Sequence, residues 1–131
     1  MLSNRIGKAF TKELELRDVS VAEWRVLMTL AQHAPTSGIN ITSRWAMDKM
    51  TINRSIKSLH KHGLIKKKQN RKDKRTIDLI LTPLGYSLYR ELLPIANDRY
   101  YKIMESLNKV EKKSLRVTLL KIINHIDKTT E

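Results

Sequence analysis

Apolar residues recur every three or four positions along most of the chain, a spacing that places them on one face of a helix. Ile6, Phe10 and Leu14 form such a stripe near the start of the sequence. Six segments share this pattern and are predicted to be helical. They are Leu2–Leu16, a segment that begins at Val21, Ile39–Trp45, Lys49–His62, a long segment that begins at Pro83, and Lys109–Lys128.

Several predicted helix ends carry residues that cap helices. Ser20 and Glu23 have the spacing of a capping box, in which each side chain accepts a hydrogen bond from the other residue's backbone. Asp48 is a suitable N-cap for the helix that follows it, and Gly63 is a suitable stop at its other end. The loop-forming segment Ala34–Gly38 must end the second helix, because proline disfavours helical geometry in the residue before it.

The segment after Gly63 changes from a helical pattern to an alternating one, which predicts two short strands. Leu64–Gln69 is the first strand and Thr76–Leu81 is the second, with the polar segment Asn70–Arg75 between them. This arrangement predicts a hairpin with a charged tip. The helices and the hairpin together indicate a mainly α fold with a small β element, of the α+β class.

Thr82 and Pro83 open the long fifth helix, since proline is tolerated at the first helical position. Pro94 lies inside this helix and is predicted to kink it. The apolar stripe of the helix consists of Leu84, Leu88, Leu92 and Ile95.

The composition indicates one folded domain over residues 1–131. Apolar residues make up 40% and charged residues 30% of the chain, with only four Gly and three Pro, a balance typical of helix-rich globular proteins. Cysteine is absent, which excludes disulfides, thiolate metal sites and cysteine nucleophiles. The sequence contains no apolar run of about 18 residues and no apolar leader, so we expect a cytoplasmic protein rather than a membrane protein.

The positive charge is concentrated in one part of the chain. Lys and Arg number 26 against 13 Asp and Glu, a formal net charge of +13. Residues 49–75 contain eleven of the basic residues and one acid, Asp73, and therefore carry a net charge of +10. A surplus of this kind points to a polyanionic partner, most commonly nucleic acid.

The predicted helix Lys49–His62 can present these cations on one face. At about 100° per residue, Met50, Arg54, Lys57 and Lys61 share a narrow arc, and the apolar residues fall on the other side. A helix with a preceding short helix and a cationic free face is typical of a helix-turn-helix that enters the major groove of duplex DNA. The alternative interpretation of the helix alone is a merely solvated basic face.

The candidate DNA-binding residues divide into two groups. Thr51, Asn53, Arg54 and Lys57 are candidates for reading base edges, because Arg pairs well with guanine and Asn with adenine. The cations of the hairpin are candidates for phosphate contacts without sequence preference. The complete set is Lys49, Thr51, Asn53, Arg54, Lys57, Lys61, Lys66, Lys68, Arg71, Lys72, Asp73, Lys74 and Arg75.

Five motifs in this order resemble the successive signatures of the MarR (multiple antibiotic resistance regulator) family of winged helix-turn-helix regulators. The resemblance covers essentially the whole chain, and five weak motifs in sequence are together specific. The motifs are Ser20–Leu27, Asp48–Arg54, Gly63–Ile65, Asp73–Arg75 and Leu81–Gly85.

The resemblance implies a homodimer in which the terminal helices, about residues 1–17 and 84–131, interlock, and a DNA-binding part over about residues 20–83. It also implies that Asp73 helps to fix Arg75 while Arg75 approaches the minor groove. Apolar stripes on the terminal helices independently favour a partner chain, because a domain this small does not bury them all. Twofold symmetry predicts a pseudo-palindromic operator with half-sites about 10 base pairs apart or a multiple of that.

The function predicted is a sequence-specific transcription regulator, a repressor released by a small-molecule ligand, without enzyme activity or cofactor. A sequence-independent architectural DNA-binding protein and a protein that binds membrane surfaces are the alternatives. His33, His60, His62 and His125 lack the spacing of metal ligands, so no metal site is expected.

A small aromatic or carboxylate effector is a further candidate partner. Phe10, Trp24 and Trp45 are candidates for lining its cavity, and Arg17 or Arg25 for pairing with its acid group. The alternative is ordinary core packing for the aromatic residues and solvation for the arginines.

Overall fold

The computed structural model of the chain describes residues 10–129. Its helices are α1, of which residues 10–15 are described, α2 (Val21–His33), α3 (Gly38–Trp45), α4 (Lys49–Lys61), α5 (Pro83–Met104) and α6 (Lys109–Thr129). Its strands are β1 (Thr36–Ser37), β2 (Ile65–Gln69) and β3 (Ile77–Leu81). The predicted mainly α fold with a small β element is confirmed. The predicted beginning of the first helix, with Ile6, lies outside the described residues.

The predicted helix caps are present at α2 and α4. The Ser20 hydroxyl accepts a hydrogen bond from the Glu23 backbone N–H at 3.0 Å, and the Glu23 carboxylate accepts one from the Ser20 backbone N–H at 3.0 Å. Asp48 is the N-cap of α4. Gly63 follows the end of α4 with φ +72°, a conformation that glycine adopts without a steric penalty.

The sheet has one strand more than the sequence predicted. Its order is β1-β3-β2, and both pairings are antiparallel. Strand β1 is only two residues long and lies within Ala34–Gly38, where the sequence indicated a loop. A segment this short has no alternation to detect, and its strand character comes from pairing with Leu79 and Asp78.

The chain divides into two compact units, one ending at Ala96 and one beginning at Asn97. The main core of the first unit joins α2, α3, α4 and the sheet, and a smaller cluster contains Leu14, Val19, Trp24 and Leu92. In the second unit, none of the described residues is buried. The residues of the main core are Val26, Leu27, Leu30, Ile41, Ile52, Ile56, Leu59, Ile65, Leu79 and Leu81.

The start of α5 departs from the predicted stripe. Leu92 is fully buried, but Leu84 is 57% exposed, and Gly85 is buried beside it. Gly85 lies against the backbone of Leu64, a close approach that only a residue without a side chain allows. The helix continues through Pro94, so this proline does not end it.

Candidate nucleic-acid interface

Helices α3 and α4 form the predicted helix-turn-helix, and polar contacts tie the end of α3 to α2. The Trp45 ring N–H donates to the Thr29 hydroxyl at 2.7 Å, and this hydroxyl donates to the Arg25 carbonyl at 2.7 Å. Ala46 ends α3 in a left-handed conformation with φ 49°. The chain can then reverse within three residues and begin α4 at Lys49.

Asp48 caps α4 through both carboxylate oxygens. Oδ1 accepts from the Met50 backbone N–H at 3.0 Å, and Oδ2 accepts from the Thr51 backbone N–H at 3.3 Å and from the Thr51 hydroxyl at 2.6 Å. The hydrogen bond from the Thr51 hydroxyl lowers the pKa of the Asp48 carboxylate most, and the one from the Met50 N–H lowers it further. The predicted base-reading residue Thr51 is thus half-buried with its hydroxyl proton engaged in capping.

Helix α4 has the two faces that its sequence predicts. Ile52, Ile56 and Leu59 are buried in the core. A polar contact also holds the helix against α2, because the Ser58 hydroxyl donates to the second carboxylate oxygen of Glu23 at 3.0 Å. The exposed residues of the opposite face are Lys49, Met50, Asn53, Arg54, Lys57, His60 and Lys61.

The hairpin tip is shaped by two side chains that cap its backbone. The Asn70 side-chain oxygen accepts from the backbone N–H groups of Lys72, at 2.8 Å, and Asp73, at 3.0 Å. Asp73 in turn accepts from the Arg75 backbone N–H at 3.0 Å and from the Thr76 hydroxyl at 3.1 Å. Asp73 therefore fixes Arg75 through its backbone, and the guanidinium stays exposed.

The role of Asn70 was missed at the level of sequence. An asparagine at the start of a polar segment is a recognised signal for a turn, since its side-chain oxygen can accept a hydrogen bond from the backbone N–H two residues further along. Asn70 also anchors the tip to β3, because its amide donates to the Asp78 carboxylate at 3.1 Å. This signal predicts an ordered turn and carries no information about a partner.

All the predicted DNA-binding residues except Thr51 are exposed. Within the described part of the chain, none of the cations among them forms a salt bridge with a carboxylate. Elements α4, β2 and the tip thus present a high density of positive charge that the described chain does not neutralise. Such a surface is electrostatically complementary to a polyanion.

The predicted effector residues do not converge on one site. Phe10 packs edge-on against Trp24 with ring centroids 5.6 Å apart, and Trp24 stacks on Tyr89 at 5.7 Å. Trp24 is only 5% exposed and belongs to the smaller core cluster. Arg25 instead lies over the Trp45 ring, 5.3 Å from its centroid.

Arg17 lies at a cleft of about 520 Å³ that Glu23, His62 and Glu91 also line. Its guanidinium donates to the Glu91 carboxylate at 3.0 Å and to the Glu13 carboxylate at 3.2 Å. These contacts, Glu91 first, raise the pKa of Arg17. An effector carboxylate that paired with Arg17 would compete with these two acids or use the guanidinium N–H groups that they do not engage.

Residues 10–129 lack two other classes of site. No group of three or more His, Asp or Glu residues there could hold a metal ion. No helix in this range is long and apolar enough to cross a lipid bilayer.

The MarR family model matches residues 19–77, which contain α2, α3, α4, β2 and the hairpin tip. The crystal structure of a MarR/EmrR family transcriptional regulator from Acinetobacter sp. ADP1 superposes with a TM-score of 0.88 at 26% identity, covering 98% of this chain and 91% of that one. Residues 19–77 therefore form a MarR-family domain.

Further similar proteins include a helix-turn-helix regulator and a DNA-bound protein of the same fold. An uncharacterized HTH-type transcriptional regulator of Staphylococcus aureus strain MSSA476 is 29% identical over 115 residues, which cover 88% of this chain and 77% of that protein. The crystal structure of the S. aureus MepR–DNA complex shares the fold, with a TM-score of 0.86 at 18% identity over 96% of this chain and 91% of that one. The comparisons thus support a transcription regulator with a MarR domain.

Proposed function

We propose that this MarR-family regulator binds a pseudo-palindromic operator in duplex DNA as a homodimer, with α4 in the major groove. The observation that carries the proposal is the set of exposed cations on α4 and on the hairpin, which form no salt bridges with described carboxylates, while the isoleucine and leucine side chains of α4 are buried. The DNA complex of the similarly folded MepR supports it. Such a regulator acts at the nucleoid, and the proposal assigns it no catalytic role.

The residues of the interface have different roles in this proposal. Asn53, Arg54 and Lys57 reach base edges from the exposed face of α4. Thr51 contributes mainly by capping, since its proton is engaged with Asp48. Arg75 enters the minor groove from a turn that Asp73 holds. The remaining cations neutralise phosphates: Lys49, Lys61, Lys66, Lys68, Arg71, Lys72 and Lys74.

The homodimer is supported by the apolar residues of α6. Leu119, Ile122 and Ile126 lie on one stripe of this helix and are each about half exposed. A twofold dimer that covers this stripe would carry two copies of α4, one from each chain. Successive major grooves of a duplex would then receive one copy each, with half-sites about 10 base pairs apart or a multiple of that.

The regulator acts as a repressor in this proposal, by covering its operator and blocking RNA polymerase. A small aromatic or carboxylate effector would release it. For a carboxylate effector, Arg17 is the candidate cation at its cleft, where Glu23, which holds α4 through Ser58, is also a lining residue. The effector carboxylate would compete with Glu91 and Glu13 for the Arg17 guanidinium.

Competition between specific and random duplex tests the proposed function. We expect the full chain to select a pseudo-palindromic site, from random duplex or from its own promoter region, and to prefer it at least about 1,000-fold over random duplex at physiological salt. The measurement is fluorescence anisotropy with unlabelled competitors. A ratio near one would instead identify an architectural protein that ignores sequence.

Removing the arginines of the interface tests the assignment of the surface. Arg54→Ala is expected to weaken operator binding by about 1–3 kcal/mol, because a bidentate base contact is lost. Arg75→Ala is expected to weaken binding and to flatten its dependence on salt. Arg90→Ala is the matched control, since Arg90 is exposed on α5 outside the interface. Operator affinities equal to wild type for both interface variants would show that DNA binds elsewhere.

A further inference from the structure

Met50 is an apolar side chain at the centre of the cationic face of α4. It is 68% exposed, although its neighbours on the other side of the helix are buried. A single exposed apolar residue is common on protein surfaces and means little by itself. The position of Met50 within the proposed interface makes it informative.

Helix geometry and capping fix where Met50 lies. It is the second residue of α4, and its backbone N–H donates to the capping oxygen of Asp48 at 3.0 Å. At about 100° per residue, Met50 shares an arc of about 60° with Arg54 and Lys57. Residues at the N-terminal end of a recognition helix are those that contact base edges.

The chemistry of methionine restricts what it can read in the major groove. A thioether donates no hydrogen bond and accepts only weakly, so it does not complement the polar atoms of guanine, cytosine or adenine. Thymine alone presents an apolar group there, its C5 methyl. Contact with this methyl would also remove the exposed Met50 side chain from water.

We propose that Met50 is a specificity residue that recognises one thymine in each operator half-site by packing against its C5 methyl group. This inference rests on the proposed function, because it requires α4 to lie in the major groove. It adds an apolar contact to the polar readout by Asn53, Arg54 and Lys57. Each operator half-site is therefore expected to prefer thymine at one position where no side chain forms a hydrogen bond with the base.

Deoxyuridine tests this contact, since it pairs as thymine does and lacks only the methyl. Each thymine of the selected operator is replaced in turn, and the dissociation constants of wild type and Met50→Ala are measured. For wild type, we expect one thymine position in each half-site to respond. Replacing it in a single half-site should weaken binding about fourfold, from about 0.8 kcal/mol per methyl, and replacing it in both half-sites should weaken binding about fifteenfold. For Met50→Ala, we expect the ratio of thymine to deoxyuridine affinity to fall to near one at those positions.

Two controls make the result specific. Leu84→Ala removes a different exposed apolar residue and is expected to keep the wild-type dependence on the methyl. Thermal unfolding of Met50→Ala is expected to match wild type, because Met50 does not pack in the core.

The inference is overturned if wild type and Met50→Ala respond equally to every deoxyuridine, including the case in which Met50→Ala simply binds all duplexes more weakly. In that case a selected operator still supports the proposed function. Failure of the chain to prefer any operator over random duplex would reject the proposed function, and this inference with it.

Discussion

Gly85→Ala is expected to lower the free energy of unfolding by at least about 3 kcal/mol, above the usual cost of overpacking. A Cβ at this position would lie 2.1 Å from the Leu64 carbonyl oxygen and 3.1 Å from its carbon. The Leu64 backbone cannot easily withdraw. Its carbonyl accepts from the Thr82 N–H at 3.1 Å, and the adjacent Gly63 carbonyl accepts from the Thr82 hydroxyl at 2.6 Å.

Gly38→Ala is the matched control, because it makes the same change at the start of another helix. There the new Cβ would lie 3.1 Å from the terminal methyl of Ile56, the flexible end of a side chain. Alanine also favours the helix over glycine. Urea unfolding followed by circular dichroism compares the variants. Equal stability of Gly85→Ala and Gly38→Ala would contradict the close approach of α5 to the end of α4.

Local signals made the helix-turn-helix predictable from sequence. The Ser20–Glu23 capping box and the Asp48 cap depend on residues at most three positions apart, and both are present. The two faces of α4 follow from its helical period, because Ile52, Ile56 and Leu59 must turn inwards together. These features need no knowledge of the rest of the fold.

Contacts between distant segments were not predictable. Strand β1 exists because Thr36 and Ser37 pair with β3, some forty residues later. Gly85 is buried in place of Leu84 because the Leu64 backbone lies against it, and a periodic pattern does not record such an approach. The predicted apolar stripe of α5 was therefore wrong at its first residue, Leu84, which is exposed.

The sequence predicted which residues the candidate site contains, but it did not predict the hydrogen bonds that they form. The exposure of its cations agrees with the helical and hairpin patterns. The engagement of Thr51 by Asp48 depends on rotamers, and the contact of Asp73 with the Arg75 backbone depends on the form of the turn. Neither is specified by the residue types alone. The base-reading and phosphate-binding roles stay predictions that the variants above test.

Ile122→Glu is expected to raise the dimer dissociation constant at least about 100-fold, because it would bury an uncompensated charge at about 3–5 kcal/mol. Ile122 is 51% exposed at the centre of the apolar stripe of α6, and the twofold axis would introduce the glutamate from both copies. Sedimentation velocity across a concentration series gives the dissociation constant. Operator affinity should fall with it, since a monomer presents only one copy of α4.

Asn124→Glu introduces the same side chain on α6, two residues further along and about 160° around the helix from Ile122. Asn124 is exposed, so this variant should remain a dimer and fold as wild type does. The comparison separates a dimer interface from a general effect of negative charge on a basic chain. Dimers of unchanged affinity in Ile122→Glu would mean that the subunits associate through another surface, and operator selection by a monomer would refute the twofold proposal.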